Sequence, residues 1–258
     1  MVAVKDQQRY SLSDRAKFLV QSSFRRFGYQ LRRLDEGVSM QDPHSEQIRL
    51  LGDAPVKVIF EVGAYNGRDT LRYAADFPGA QVYAFEPIPE SFGYLSESVK
   101  GTPNITAVNS ALYNNVGTAA MHLSTWIDAS SLHKPLATGA TFDKYAASDS
   151  QITVSTDTLD HFCREHGVSR IDLLKIDAQG AEFSILQGGV DLLSRGAIRV
   201  IFVEVAFSPL YEGGARFDQV MELLCDHGFR LHNLYGLVSN QRGELAWGDA
   251  LFVKASVS

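Results

Sequence analysis

Val58-Ile59-Phe60-Glu61-Val62-Gly63-Ala64-Tyr65-Asn66-Gly67-Arg68-Asp69-Thr70-Leu71 is the stretch from which the fold is read. It begins as an apolar run rich in β-branched residues and breaks at a loop bracketed by Gly63 and Gly67. It resumes at helical spacing through Leu71, Ala74 and Ala75. Strand, tight turn and helix in that order open a parallel α/β sheet. The turn then lies at the carboxyl edge, where glycines let backbone N–H groups approach a ligand and the helix N-terminus faces it.

The spacing of the loop separates two kinds of ligand. A dinucleotide loop carries three glycines as G-x-G-x-x-G, the middle one making room for a pyrophosphate. Here only Gly63 and Gly67 are present, and Glu61 stands two residues before the first. A carboxylate at that point repels a diphosphate and suits an ammonium group, such as the one on the methionine end of S-adenosylmethionine. The second strand, Gln81 to Pro87, carries Glu86 roughly 20 residues past the loop, the place for an acid that takes ribose hydroxyls.

The chain has 258 residues, 45% of them hydrophobic, enough to bury one sizeable core. We expect one α/β domain over residues 51–258 behind an N-terminal extension, residues 1–50. The net charge of −6 argues against a nucleic-acid surface. Cys163 and Cys225 fall in helical patterns and read as free thiols in a reducing compartment. No apolar run reaches membrane-spanning length and no signal-peptide core stands at the start, so the expected location is the cytoplasm.

The extension differs in character. Val20, Phe24, Phe27, Leu31 and Leu34 form an amphipathic stripe beside Arg25, Arg26, Arg32 and Arg33, and residues 1–40 hold eight Lys/Arg against four Asp/Glu. Such a helix caps the domain, lies on an anionic membrane surface or makes a dimer seam. Gly37 to Pro55 reads as a polar linker.

Further along, a helix follows Pro87 and Pro89, and a third strand spans Ile105 to Tyr113. Another strand covers Ala119 to Ser124. From Trp126 to Ser150 periodicity is lost, which suggests a lid or substrate wall. Ile152 to Ser155 is a strand, and Thr156 is placed to cap the helix through Leu159, Phe162 and Cys163. Ile171 to Asp177 is a buried strand, followed by a helix from Gly180 to Leu193. Ile198 to Val205, the most apolar strand, is assigned a central place. A helix through Phe217 and Leu224 precedes a hairpin, Phe229 to Val238 and Asp249 to Lys254. The alternation predicts a doubly wound, mostly parallel sheet with a C-terminal antiparallel hairpin.

Taken together, Glu61-Val62-Gly63-Ala64-Tyr65-Asn66-Gly67, Phe85-Glu86-Pro87, Ser130-Ser131-Leu132, Thr158-Leu159-Asp160 and Leu174-Lys175-Ile176-Asp177-Ala178-Gln179-Gly180-Ala181-Glu182 resemble the FkbM-type family of S-adenosylmethionine-dependent methyltransferases. The resemblance covers roughly Val56 to Lys254 and implies a class I, Rossmann-like methyltransferase fold. It also implies O-methylation of a saccharide, polyketide or related product. By position, Glu61, Gly63, Ala64 and Gly67, with Tyr65, Asn66 and Thr70, would shape the methionine pocket. Glu86, with Pro87, would hold the ribose, and Ser110 and Ala111 would line the adenine. Many members have Asp at the Glu61 position, Asn at the Tyr65 position and Glu at the Gln179 position, so the resemblance gives Gln179 no catalytic duty.

Methyl transfer to an alcohol needs near-attack alignment and a base for the departing proton. Asp177, at a strand end facing the site, is the first candidate for base or cofactor contact; its bland alternative is a cap for the helix from Gly180. Glu182 serves the site or the dipole of that helix. Glu204 ends an apolar strand and needs a partner. Asp177 and Glu204 are also candidates for a divalent cation that would position substrate oxygens. His133, in the polar stretch, and His122 are the histidines nearest the expected pocket, each more often a surface residue. His161, His166, His227 and His232 read as structural, and Lys175 as the partner of a carboxylate. Two rivals stand beside the O-methyltransferase reading: a nicotinamide-dependent oxidoreductase, disfavoured by the loop, and a non-catalytic nucleoside-binding module docked through the basic helix to a partner or membrane.

Overall fold

The computed structural model describes residues 42–124, 130–136 and 147–255. The basic stripe from Val20 to Leu34, and residues 126–129 and 137–146 of the polar stretch, lie outside them. Helix α1 (Pro43–Leu51) leads to β1 (Val58–Val62), α2 (Arg68–Asp76), β2 (Gln81–Phe85), α3 (Pro89–Ser98) and β3 (Ile105–Val108). Then come β4 (Ala111–Leu112), β5 (Gly117–Ser124), β6 (Ala147–Asp157), α4 (Leu159–Glu165) and β7 (Ile171–Ile176). The chain continues through α5 (Glu182–Gln187), α6 (Val190–Ser194), β8 (Ile198–Ala206), α7 (Phe217–Asp226), β9 (Phe229–Ser239) and β10 (Leu245–Lys254).

Among the described residues, seven strands make one sheet in the order β3-β2-β1-β7-β8-β10-β9. β1 is parallel to β2 and β7, β2 to β3 and β7 to β8, while β10 runs antiparallel between β8 and β9. All six residues of β7 are buried, as a parallel strand covered on both faces requires. Ile59, Leu173 and Val200 pack on one face with Leu51 of α1 and Tyr73 of α2. Phe60, Leu174 and Ile201 pack on the other with Phe162 of α4, Ile185 of α5 and Leu224 of α7. Asp172 ties the amino ends of three strands together: it accepts from the Lys57 and Val58 amides at 2.7 and 3.2 Å and from Arg199 at 3.1 Å. The order in which strands are added reverses between β1 and β7, β2 and β3 lying to one side and β7 and β8 to the other, so a crevice opens at their carboxyl ends.

Several elements depart from the pattern expected of them. The predicted strand from Ile105 to Tyr113 breaks at Asn109-Ser110; β3 stays in the main sheet, whereas β4 pairs with β6 in a second sheet ordered β4-β6-β5. A continuous apolar alternation conceals such a change of partner. The single helix expected from Gly180 to Leu193 is two, interrupted at Gly188-Gly189, where Gly188 passes so close to the Tyr113 carbonyl that a Cβ would lie 2.1 Å from that oxygen. Thr158, not Thr156, caps α4, its hydroxyl accepting the His161 amide at 3.0 Å. β8 is an interior strand but the middle of the sheet is β7, since apolarity reports covered faces and not strand order. Part of the expected linker, Pro43 to Leu51, is helix α1.

Candidate active site

A cavity of about 390 Å³ lies at the carboxyl ends of β1, β2 and β7, within the size range of small-molecule sites. Its walls have distinct characters. Glu61, Arg68, Asp69 and Lys175 make a charged end; Ile88, Ala111, Leu112 and Met121 make an apolar slot. Ile88, Ala111, Met121 and Val154 form a small core of their own, so the second sheet supplies the slot's Ala111, Leu112 and Met121 while Ile88 comes from the connection after β2.

The loop after β1 is held by exact fit. Gly63 has φ +82°, and a Cβ there would come 1.9 Å from the Asp177 carbonyl oxygen. Gly67 has φ +79° and packs beneath α3 against Ser98 and Leu95. Tyr65 takes a left-handed conformation, φ +47°, uncommon for a side chain of its size. Its amide donates to Glu86 Oε2 at 3.0 Å, and Ile88 donates to Glu86 Oε1 at 2.9 Å. Burial pushes the Glu86 carboxyl up, and these two amides oppose the shift. Each oxygen keeps acceptor capacity on the cavity wall.

Asp177 follows β7, its amide bonded to the Val62 carbonyl at 3.0 Å, and its side chain lines the cavity. It caps no helix: α5 begins at Glu182, behind Ala181, without a side-chain cap. Glu182 instead turns back, and its Oε1 accepts the amides of Ala178 and Gly180 at 2.9 and 3.1 Å. Burial raises Glu182 to about 7.

Gln179 connects the acids. Its Nε2 donates to Asp177 Oδ1 at 2.9 Å and approaches Glu204 Oε2 at 3.4 Å, while Tyr211 donates to Oε1 at 2.9 Å. The opposite amide orientation would face an oxygen toward two carboxylates. Ser131 Oγ donates to the Gln179 carbonyl at 2.5 Å, which pins a residue whose φ is +52°. Burial, then the charge of Asp177, pushes Glu204 well above the usual carboxylate range. Burial and Asp177 together raise Asp249, the β10 partner of Glu204, to about 6. Among the described residues no group of three or more His, Cys, Asp or Glu is arranged to hold a metal ion. The Gln179 amide protons face both carboxylates that a shared cation would use.

Of the residues proposed from sequence, Glu61, Gly63, Ala64, Tyr65, Asn66, Glu86, Pro87, Ser110, Ala111 and Asp177 share the cavity wall. Gly67 and Thr70 lie behind it. Glu182 and Glu204 line a separate small recess with Tyr211 and Trp247. His133 stands beside the wall residue Leu132, Nδ1 3.0 Å from the Glu212 carbonyl and Nε2 3.4 Å from the Tyr113 hydroxyl. His122 pairs with Gln151 at 3.2 Å on the second sheet. Lys175, Asp69, Ile88, Met121 and Ser130 were not proposed for the site. Lys175 was findable, because a strand's period of two puts it on the same side as Asp177; Ile88 and Met121 carry no such signal.

Residues 61–231 match the family model of the methyltransferase FkbM domain, a span that runs from the end of β1 into β9 and encloses this cavity. The chain belongs to the FkbM methyltransferase family. It is therefore an S-adenosylmethionine-dependent methyltransferase of class I fold, and the oxidoreductase and non-catalytic readings fall. Its relatives include the 2-O-methyltransferase NoeI of Sinorhizobium fredii, 29% identical over 205 residues, which are 75% of this chain and 83% of that protein. The 31-O-demethyl-FK506 methyltransferase FkbM of Streptomyces tacrolimicus is 28% identical over 68% of this chain and 73% of its own length. Methyltransferase sdnD of Sordaria araneosa is 26% identical over 66% and 73%. Among solved structures, a precorrin-6y C5,15-methyltransferase from Geobacter metallireducens superposes with a TM-score of 0.46 at 11% identity, over 87% of this chain and 94% of that one. No described helix of this FkbM-family chain is long and apolar enough to cross a membrane.

Proposed function

We propose that this protein transfers a methyl group from S-adenosylmethionine to a hydroxyl of a saccharide or another small natural product, with Asp177 as the base. The observation that carries the reading is the cavity itself, which has a charged end, an apolar slot and, on the wall between β7 and α5, the half-buried carboxylate of Asp177. A molecule with an amino-acid end, a ribose and a purine fits that division. Glu86 is placed for the ribose hydroxyls, and Ile88, Ala111 and Met121 for the base.

S-adenosylmethionine, when bound, supplies an electrophilic methyl carbon. As the acceptor oxygen gained the methyl carbon and the carbon–sulfur bond broke, leaving S-adenosylhomocysteine, Asp177 would take the acceptor's proton, and the Gln179 amide keeps that carboxylate aimed. Glu204 reaches the site through the same amide, and His133 stands with Tyr113 near the rim. NoeI and FkbM are named as O-methyltransferases or for an O-demethyl substrate, which supports oxygen as the acceptor atom.

Calorimetric titration with S-adenosylhomocysteine, with NAD and Glu86→Ala as controls, tests the first half. Binding of the former alone, weakened by the substitution, is expected. Transfer of labelled methyl to a panel of neutral glycosides and hydroxylated macrocycles tests the second. Tight NAD binding, or none of either, would sink the reading.

A further inference from the structure

The charged end of the cavity is built differently from what the loop spacing suggested. Glu61, read as a direct partner for a ligand ammonium, is 1% exposed and already has a donor of this protein on each oxygen. Lys175 Nζ lies 3.1 Å from its Oε1, and the Thr70 hydroxyl donates to its Oε2 at 2.5 Å. The same ammonium lies 3.0 Å from Asp69 Oδ2. Side-chain exposure climbs along the series, from 2% at Glu61 through 11% at Lys175 to 44% at Asp69. Charges of alternating sign thus run from the protein interior out to the cavity wall, which all three residues line.

An ammonium has three protons, and Lys175 spends two of them on Glu61 and Asp69. Asp69 lends one oxygen to Lys175 and retains the other. The groups with capacity left are therefore a cation and an anion side by side, half in water and half out of it. Single-sign recognition would leave one of the two without a use. A ligand bearing both signs on neighbouring atoms continues the alternation, in surroundings where each contact is stronger than in bulk water.

We propose that Lys175 and Asp69 form a clamp for a zwitterionic α-amino-acid group, Lys175 taking its carboxylate and Asp69 its ammonium, with Glu61 and Thr70 holding Lys175 in place. The clamp rests on the reading that S-adenosylmethionine occupies the cavity. It assigns the amino-acid end to residues outside the glycine loop, and it gives Glu61 a positioning role. Arg68, exposed at the mouth of the same wall, adds positive charge on the approach for the carboxylate.

Two ligands that differ only at that end decide the matter. S-adenosylhomocysteine carries the zwitterion, and 5′-methylthioadenosine lacks it. Lys175→Met alone would strand the buried Glu61 charge, so the paired variant Glu61→Gln/Lys175→Met is used beside Asp69→Asn. Calorimetry on the full chain should show at least a tenfold loss for S-adenosylhomocysteine in both variants. Affinity for 5′-methylthioadenosine should stay within twofold of wild type. Equal losses for the two ligands, or an undiminished affinity for S-adenosylhomocysteine, would overturn the clamp. Failure of the wild-type protein to bind either ligand would instead overturn the cofactor reading beneath it.

Discussion

Asp177 and Glu182 are five residues apart and end in different environments, and each makes its own prediction. Asp177 lines the cavity and receives one amide proton from Gln179. Asp177→Asn keeps an oxygen for that amide and removes the base. Turnover should fall by about 10²- to 10⁴-fold, the usual worth of a positioned base, with S-adenosylhomocysteine affinity within threefold by calorimetry. A comparable loss of affinity would make Asp177 a cofactor ligand instead. Glu182 is 7% exposed, and burial holds its carboxyl at about 7. A carboxyl raised on folding binds its proton more tightly in the native state. Its contribution is complete below the unfolded value near 4.5 and is lost as pH rises through about 7. Glu182→Gln can still accept the Ala178 and Gly180 amides and has no charge to bury. Its melting temperature should exceed wild type by more at pH 8 than at pH 5, and a uniform shift would contradict the burial argument.

At the scale of elements, close backbone approaches decide what can change. Gly63 joins the carboxyl ends of β1 and β7, and Gly188 joins α5 to the end of β4; an added methyl at either meets a carbonyl oxygen at 1.9 or 2.1 Å. Gly63 also needs its positive φ, +82°, whereas Gly188 does not. Both Gly63→Ala and Gly188→Ala should lower the melting temperature. Only Gly63→Ala should weaken S-adenosylhomocysteine binding, because only that approach shapes the cavity. Parallel thermal melts and titrations separate the two effects. The hairpin of β9 and β10 shows a related economy: β10 inserts beside β8, so Asp249 is brought opposite Glu204, which lines the small recess apart from the cavity.

For the whole molecule, α1 is tied into the sheet that follows it. Leu51 is 1% exposed in the core under the sheet, Gln47 accepts from the buried Tyr73 hydroxyl at 2.7 Å, and Glu46 meets His232 of β9 at 2.6 Å. Removing residues 1–41 should leave melting temperature and S-adenosylhomocysteine affinity near those of the full chain. Removing 1–51 strips a covered apolar face, and Leu51→Ala alone should cost about 2–5 kcal/mol, the range for a fully buried leucine. Chemical denaturation of the three proteins checks the order. Glu46 adds an acid limit: hydrogen bonding from Arg49 holds it at about 2, so its stabilisation is present above about 4.5 and fades as pH falls toward 2.

The sequence by itself determined the strand–loop–helix opening, the parallel α/β class, the terminal hairpin and the family, because these depend on local periodicity and on motifs whose residues are neighbours in the chain. It also placed Glu61, Glu86 and Asp177, since strand ends at a sheet's carboxyl edge can be read one strand at a time. Tertiary structure alone decided that Lys175 and Thr70 cover Glu61, that Gln179 joins Asp177 to Glu204, and that Met121 and Ala111 come from a second sheet to wall the slot. The contacts on Glu61 join residues 9 and 114 positions apart, and the one from Gln179 to Glu204 spans 25; periodicity carries no information about which distant side chains meet. A buried charge announces that it needs a partner. Packing determines which partner it receives, and therefore which groups remain for the ligand.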